Sequence, residues 1–104
     1  MSAAARPYDY DPAKAASNLR THRLSFDDGF RVLQVDPTRC LDLIDDREDY
    51  DEERWVRIGP HPAVPLLLIH VTWTPSGDVP RLISVRKASH AERYRHAHRY
   101  EESP

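Results

Sequence analysis

One cysteine, Cys40, is all the sulfur-bridging capacity in these 104 residues, so no internal disulfide can form and the chain reads as intracellular. Cys40 itself reads as a small buried hydrophobe rather than a nucleophile. Long apolar runs are also missing. The longest, Val64-Pro65-Leu66-Leu67-Leu68-Ile69-His70-Val71, is too short to span a membrane and suits a buried strand. The opening Met1–Pro7 has no apolar core of the kind a secretion signal needs, and is expected to be a disordered lead-in. There is no internal repeat. Glycine-rich phosphate loops, a Ser-His-Asp elbow and an HExxH pair are all lacking, which sets aside the enzyme classes built on them. The acidic run Asp45–Glu53 lacks the glycine and ligand spacing of a calcium loop, and reads as a solvated loop.

What is present fits one domain, expected over residues 8–102. Apolar residues make up 39% and charged residues 31%, enough for a small core only. The net charge of −2 conceals a division along the chain. Residues 1–53 carry 7 Lys/Arg against 13 Asp/Glu, while residues 54–104 carry 8 against 4 together with five of the six histidines. A basic second half suits contact with phosphates, since such contacts depend on the local field; it also suits an ordinary solvated surface.

Asp11-Pro12 is a helix start, and the Ala- and Lys/Arg-rich segment Pro12–His22 follows with Ala15 and Leu19 at helical spacing. Ser25 and Asp28 form an approximate capping box, and Phe26, Phe30 and Leu33 give the next helix one apolar face that ends at Asp36-Pro37. Strand signals cover Arg39–Ile44, Arg54–Ile58 (closed by Gly59-Pro60), Val64–Trp73 and Arg81–Lys87, with a turn at Pro75-Ser76-Gly77-Asp78. Ser89 and Glu92 form a capping box for a last helix running to Glu101. Helix, helix, four strands, helix predicts an α+β fold, with helices on one face of an antiparallel sheet and the other face free.

Several short motifs in this order resemble the BrnT toxin family. They are Asp11-Pro12-Ala13-Lys14 with Asn18 and His22, then Ser25-Phe26-Asp27 and Asp36-Pro37, then Glu52-Glu53-Arg54-Trp55 with Ile58-Gly59. The run Arg81-Leu82-Ile83-Ser84-Val85-Arg86-Lys87-Ala88 follows, then Glu92-Arg93 and Tyr100-Glu101, so the resemblance covers Tyr8 to Glu102. Where that family usually has Gly after the helical His, this chain has Arg23, and its loop before Glu52 lacks the family's His. The resemblance implies a RelE-like fold, ribonuclease activity, and neutralisation by a BrnA-like ribbon-helix-helix antitoxin. Operator DNA would be contacted only through that antitoxin.

Metal-independent RNA cleavage needs a proton taken from the 2′-hydroxyl, a proton given to the 5′-oxygen, and stabilisation of phosphoryl charge. Arginine suits the last role because its fork holds phosphate oxygens bidentately. The candidates for catalysis are Arg54 and Arg86 first, then Arg81, Lys87 and His22. Trp55, Arg57 and Tyr100 are candidates for holding RNA. Strand alternation puts Ile83 and Val85 in the core and Leu82, Ser84 and Arg86 on the open side, leaving Arg81 and Lys87 at strand ends where a bulge can free them. Each basic residue also reads as a plain surface charge, His22 as a favourable helix C-terminal residue, and Trp55 as core packing. No metal or cofactor is expected; His96 and His98 sit two apart on a helix and diverge. The competing reading is a non-catalytic module that binds an antitoxin and regulates DNA with it.

Overall fold

A computed structural model describes residues 7–45 and 52–101. All of the expected lead-in except Pro7, and positions 46–51 of the acidic run, lie outside the described residues, as does Glu102. Helix α1 spans Pro12–His22, with the Asp11 carboxylate accepting the Ala13 amide. Helix α2 spans Phe26–Leu33 behind a full Ser25/Asp28 capping box. Strands β1 (Leu41–Ile44), β2 (Trp55–His61), β3 (Val64–Ser76) and β4 (Val79–Lys87) form one antiparallel meander in the order β1-β2-β3-β4. Helix α3, His90–Ala97, follows behind the Ser89/Glu92 capping box. The α+β order anticipated from the sequence is the observed one.

The boundaries differ where side chains override local signals. Pro37–Arg39 closes a 3₁₀ turn, so β1 begins at Leu41 rather than Arg39. Strand β2 runs through Gly59-Pro60 to His61, because His61 fixes the following turn. Its Nδ1 accepts the Ala63 amide at 3.0 Å, which leaves Nε2 to donate to Asp28 Oδ1 at 2.8 Å. Beyond Ala97 the chain turns instead of continuing helically to Glu101.

The main core lies between the sheet and the first two helices: Leu24, Phe26, Val32, Ile69, Val71, Leu82 and Val85 are all buried there. Helix α2 approaches the sheet closely through Gly29, where a Cβ would fall 2.4 Å from Val85 Cγ2. The expected strand alternation breaks in β4. The register slips between Thr72/Ser84 and Trp73/Leu82, so Ile83 is an extra, bulged residue. Leu82 therefore turns into the core, not onto the open side, while Ile83 is only half-buried beside Asn18 and His22.

Helix α1 presents an amide to the sheet instead of an apolar stripe: Asn18 is buried and Leu19 is half exposed. Asn18 Nδ2 donates to the carbonyls of Leu24 (3.0 Å) and Val85 (2.7 Å), and its Oδ1 accepts the Val85 amide at 2.9 Å. Edge strand β4 is thus satisfied by a side chain where, among the described residues, no fifth strand pairs with it. Lower down, the Asp9 main chain does the same, accepting from Leu82 N and donating to Pro80 O.

The other face is not free. Counting across the register from the core residues Val71 and Val85, the side chains of His70, Thr72, Ser84 and Arg86 lie on the opposite side, and α3 lies over them through Glu92. Polar bonds hold α3 there, a possibility that hydrophobic patterning does not reveal.

Two stability outcomes follow. Arg23 closes α1 in the left-handed region (φ 60, ψ 24), where a side chain is strained and glycine is usual. Arg23→Gly should raise stability by roughly 0.5–1 kcal/mol, read as a higher melting temperature. Asn18→Ala leaves buried backbone groups unpaired and should lower stability by about 3 kcal/mol in urea unfolding; an unchanged midpoint would show that water replaces the amide.

Candidate active site

Strands β3 and β4 place His70 directly opposite Arg86, with Thr72 opposite Ser84 one step further along the same face. The Ser89/Glu92 capping box then sets the Glu92 carboxylate over this pair, its Oε1 accepting the Ser89 amide at 2.8 Å. Arg86 grips Glu92 bidentately, Nη1 to Oε1 at 2.8 Å and Nη2 to Oε2 at 2.9 Å. His70 Nδ1 lies 2.8 Å from Oε2, and its Nε2 lies 3.1 Å from Thr72 Oγ1.

Burial alone would raise the Glu92 carboxyl. Hydrogen bonds from Arg86 and the Ser89 amide, with His70 beside it, more than offset that and pull it down to about 2. A carboxylate offers only lone pairs, so His70 Nδ1 carries a proton. The 3.1 Å between Arg86 Nη2 and His70 Nδ1 is therefore two donors converging on one oxygen. A carboxyl held so low is a poor proton acceptor at neutral pH, which makes Glu92 an orienting group.

Arg86 is not exhausted by this pair. Besides Glu92, Nη1 donates to Lys87 O at 3.0 Å. Among the described residues, Nε–H and one Nη2 hydrogen have no acceptor, and a third of the side chain is exposed. Those donors suit a phosphate oxygen.

The remaining candidates are dispersed. Arg54 is half-buried immediately before β2, its carbonyl accepting the Asp45 amide at 2.8 Å. By register it falls on the Thr74 side of the sheet, the face that also carries Arg86, two strands across and about 13 Å along. Arg81 shares that face because of the Ile83 bulge, but it sits at the far end of β4, paired with Asp9 at 2.6 Å. Lys87 is exposed at the end of β4, paired with core residue Ile69. His22 lies at the end of α1, against the other face.

The three candidates for holding RNA are engaged internally. Trp55 stacks on Trp73 (centroids 6.4 Å, planes 22° apart) and donates to Glu53. Arg57 binds both oxygens of Asp42, at 2.7 and 2.9 Å, and reaches the Leu33 carbonyl at 3.0 Å, pinning the end of α2 to β1. The Tyr100 hydroxyl donates to Thr38 O, though its ring is exposed.

His70 and Glu92 escaped the sequence reading as site residues. The signal for His70 was there: it is the one ionisable side chain inside the most apolar run. Glu92 was legible only as a helix cap. Among the described residues, no three His, Cys, Asp or Glu side chains gather as metal ligands would.

A guanidinium, an imidazole and an ionised carboxylate meeting on a small α+β meander have the makings of a phosphate-handling site. The family model "Ribonuclease toxin, BrnT, of type II toxin-antitoxin system" matches residues 10–92, and the chain belongs to that family. It is thus a member of a ribonuclease toxin family, and an antitoxin partner comes with a type II system. A search of curated proteins finds no match. No helix among the described residues is long and apolar enough to cross a membrane.

The depressed Glu92 carboxyl gives a pH dependence with a definite sign. Its stabilisation is fully present above about 4.5, its ordinary value, and is lost as pH falls toward 2. The protection of α3 amides, taken relative to the exchange rate of an unstructured chain at each pH, should fall across that acid range in the parent, and Glu92→Gln should abolish this step; the same profile in both would assign it to other carboxyls.

Proposed function

We propose that this chain is a metal-independent endoribonuclease toxin acting on cytoplasmic RNA, and that a ribbon-helix-helix antitoxin silences it. The observation that carries the reading is the Arg86–His70–Glu92 cluster, in a chain of a ribonuclease toxin family. In the proposed reaction the 2′-oxygen attacks the adjacent phosphorus, the P–O5′ bond breaks, and a 2′,3′-cyclic phosphate and a free 5′-hydroxyl form. Arg86 binds the phosphoryl oxygens as their charge grows, using the donors that Glu92 leaves over. Glu92 fixes the guanidinium and the His70 ring. His70 is the group for proton movement, through the Nε2 that faces the Thr72 hydroxyl. Arg54 on the same face and Lys87 at the strand end supply further positive charge for the RNA backbone. Arg81 has a poorer claim because Asp9 neutralises it, and His22 because it lies against the other face.

One observation favours a second reading. Arg86 is already paired bidentately, as a purely structural arginine would be. The chain would then be a non-catalytic module that binds its antitoxin and, through it, operator DNA.

The two separate in one experiment. RNA is incubated with purified chain in the presence of a chelator, beside an Arg86→Ala variant, and each is also induced in a bacterial host. The parent should cleave to cyclic-phosphate ends and arrest growth, and the variant should lose on the order of 10²-fold or more in rate. Intact RNA at high enzyme excess, with a soluble folded parent that does not arrest growth, would leave the non-catalytic module as the reading.

A further inference from the structure

The packing stripe of α3 is Glu92, His96 and, just beyond its end, Arg99. Glu92 holds Arg86 and His70, His96 Nε2 lies 2.7 Å from the Arg39 carbonyl, and Arg99 Nη2 donates to the Thr38 carbonyl at 3.1 Å. This polar docking turns Arg93, Tyr94 and Arg95 outward, all three exposed. Among the described residues neither arginine has a carboxylate partner. Tyr94 is 63% exposed, and its ring lies against His98 at 4.2 Å between centroids. Residues 86–101 carry five Arg/Lys against two Glu, and Glu92 and Glu101 are both engaged, by Arg86 and His98. The charge left over on this helix is positive. The family model matches residues 10–92, so Arg93, Tyr94 and Arg95 lie beyond the matched span.

We infer that the outward face of α3 is a binding surface for single-stranded RNA, with Arg93 and Arg95 contacting phosphates and Tyr94 offering a plane on which a base stacks. The inference rests on the ribonuclease reading and names where its substrate is held. Two apart on a helix, Arg93 and Arg95 diverge to opposite flanks with Tyr94 between them, so an unpaired strand that crosses over α3 meets a cation, a ring and a cation, and every nucleotide brings one phosphate and one flat base. An acidic peptide would use the arginines and have no need of the tyrosine plane. Position supports the same occupant. Glu92, the chain neighbour of Arg93, touches Arg86, so a strand that crosses α3 at Arg93 passes close to the cluster that would cut it.

The test uses the full chain and a fluorescein-labelled 2′-O-methyl RNA, which keeps phosphates and bases but has no free 2′-hydroxyl. Anisotropy titrations across a salt series compare the parent with Arg93→Gln/Arg95→Gln, with Tyr94→Ala, and with Lys14→Gln/Arg20→Gln, which removes the same charge from α1. The α3 double variant should bind about tenfold or more weakly and flatten the log–log salt slope by about 1.4, as loss of two phosphate contacts on a single strand requires. Tyr94→Ala should weaken binding about tenfold with the slope unchanged. The α1 variant should bind like the parent. Parental affinity in the α3 double variant, or equal loss in the α1 control, overturns the inference. So does a poly-glutamate peptide that competes with the RNA while Tyr94→Ala has no effect. On cleavable RNA the α3 variants should raise KM and leave kcat alone. If nothing is cleaved by any variant while the binding pattern holds, the ribonuclease reading fails and the surface stands.

Discussion

The clamp that Asn18 places on Val85 holds the molecule in register. A single buried amide satisfies both main-chain groups of Val85 and the Leu24 carbonyl, joining α1, the linker to α2, and the outer edge of the sheet. A side-chain amide carries a carbonyl oxygen and two N–H donors, so it meets the Val85 N–H and C=O and the Leu24 C=O at once, and the position selects for chemistry as much as for size. Val85 is fully buried, and its side chain meets α2 at Gly29, so the same residue anchors both helices. The core then fills the space those contacts define.

The two faces of the sheet are built on different physics. Beneath α1 and α2 the packing is apolar and dense. Beneath α3 it is a set of ion pairs and carbonyl contacts, and α3 itself buries no residue fully. Polar contacts hold geometry well, yet they depend on protonation and on competing ions far more than dispersion does. The proposed chemistry sits on this second face, where Arg86 is both the anchor of a helix and the group with donors to spare.

Element order and type were legible because capping residues and turn signals at Asp11-Pro12, Ser25/Asp28, Gly77 and Ser89/Glu92 are local. The course of β4 past Ile83 was not, because a bulge leaves no mark in an alternating run; this is why Leu82 was expected on the wrong face. Polar anchoring of α1 and α3 was equally invisible to periodicity, which counts apolar residues. Of the candidate site, Arg86 was nominated through its motif and its strand position. His70 and Glu92 come from a strand and a helix that meet only in three dimensions, and neither segment announces the other. Arg57 looked like a free cation because its partner Asp42 lies fifteen positions away, across a hairpin.

An open sheet invites other strands at both its margins. Here the β4 margin is closed, by the Asp9 backbone along Pro80–Leu82 and by the Asn18 amide at Val85. Growth of this sheet by another chain is therefore one-directional. A partner that adds a strand must add it beside Leu41–Ile44, on the margin away from the arginine cluster, so strand exchange at β4 is barred unless α1 is first pried from the sheet.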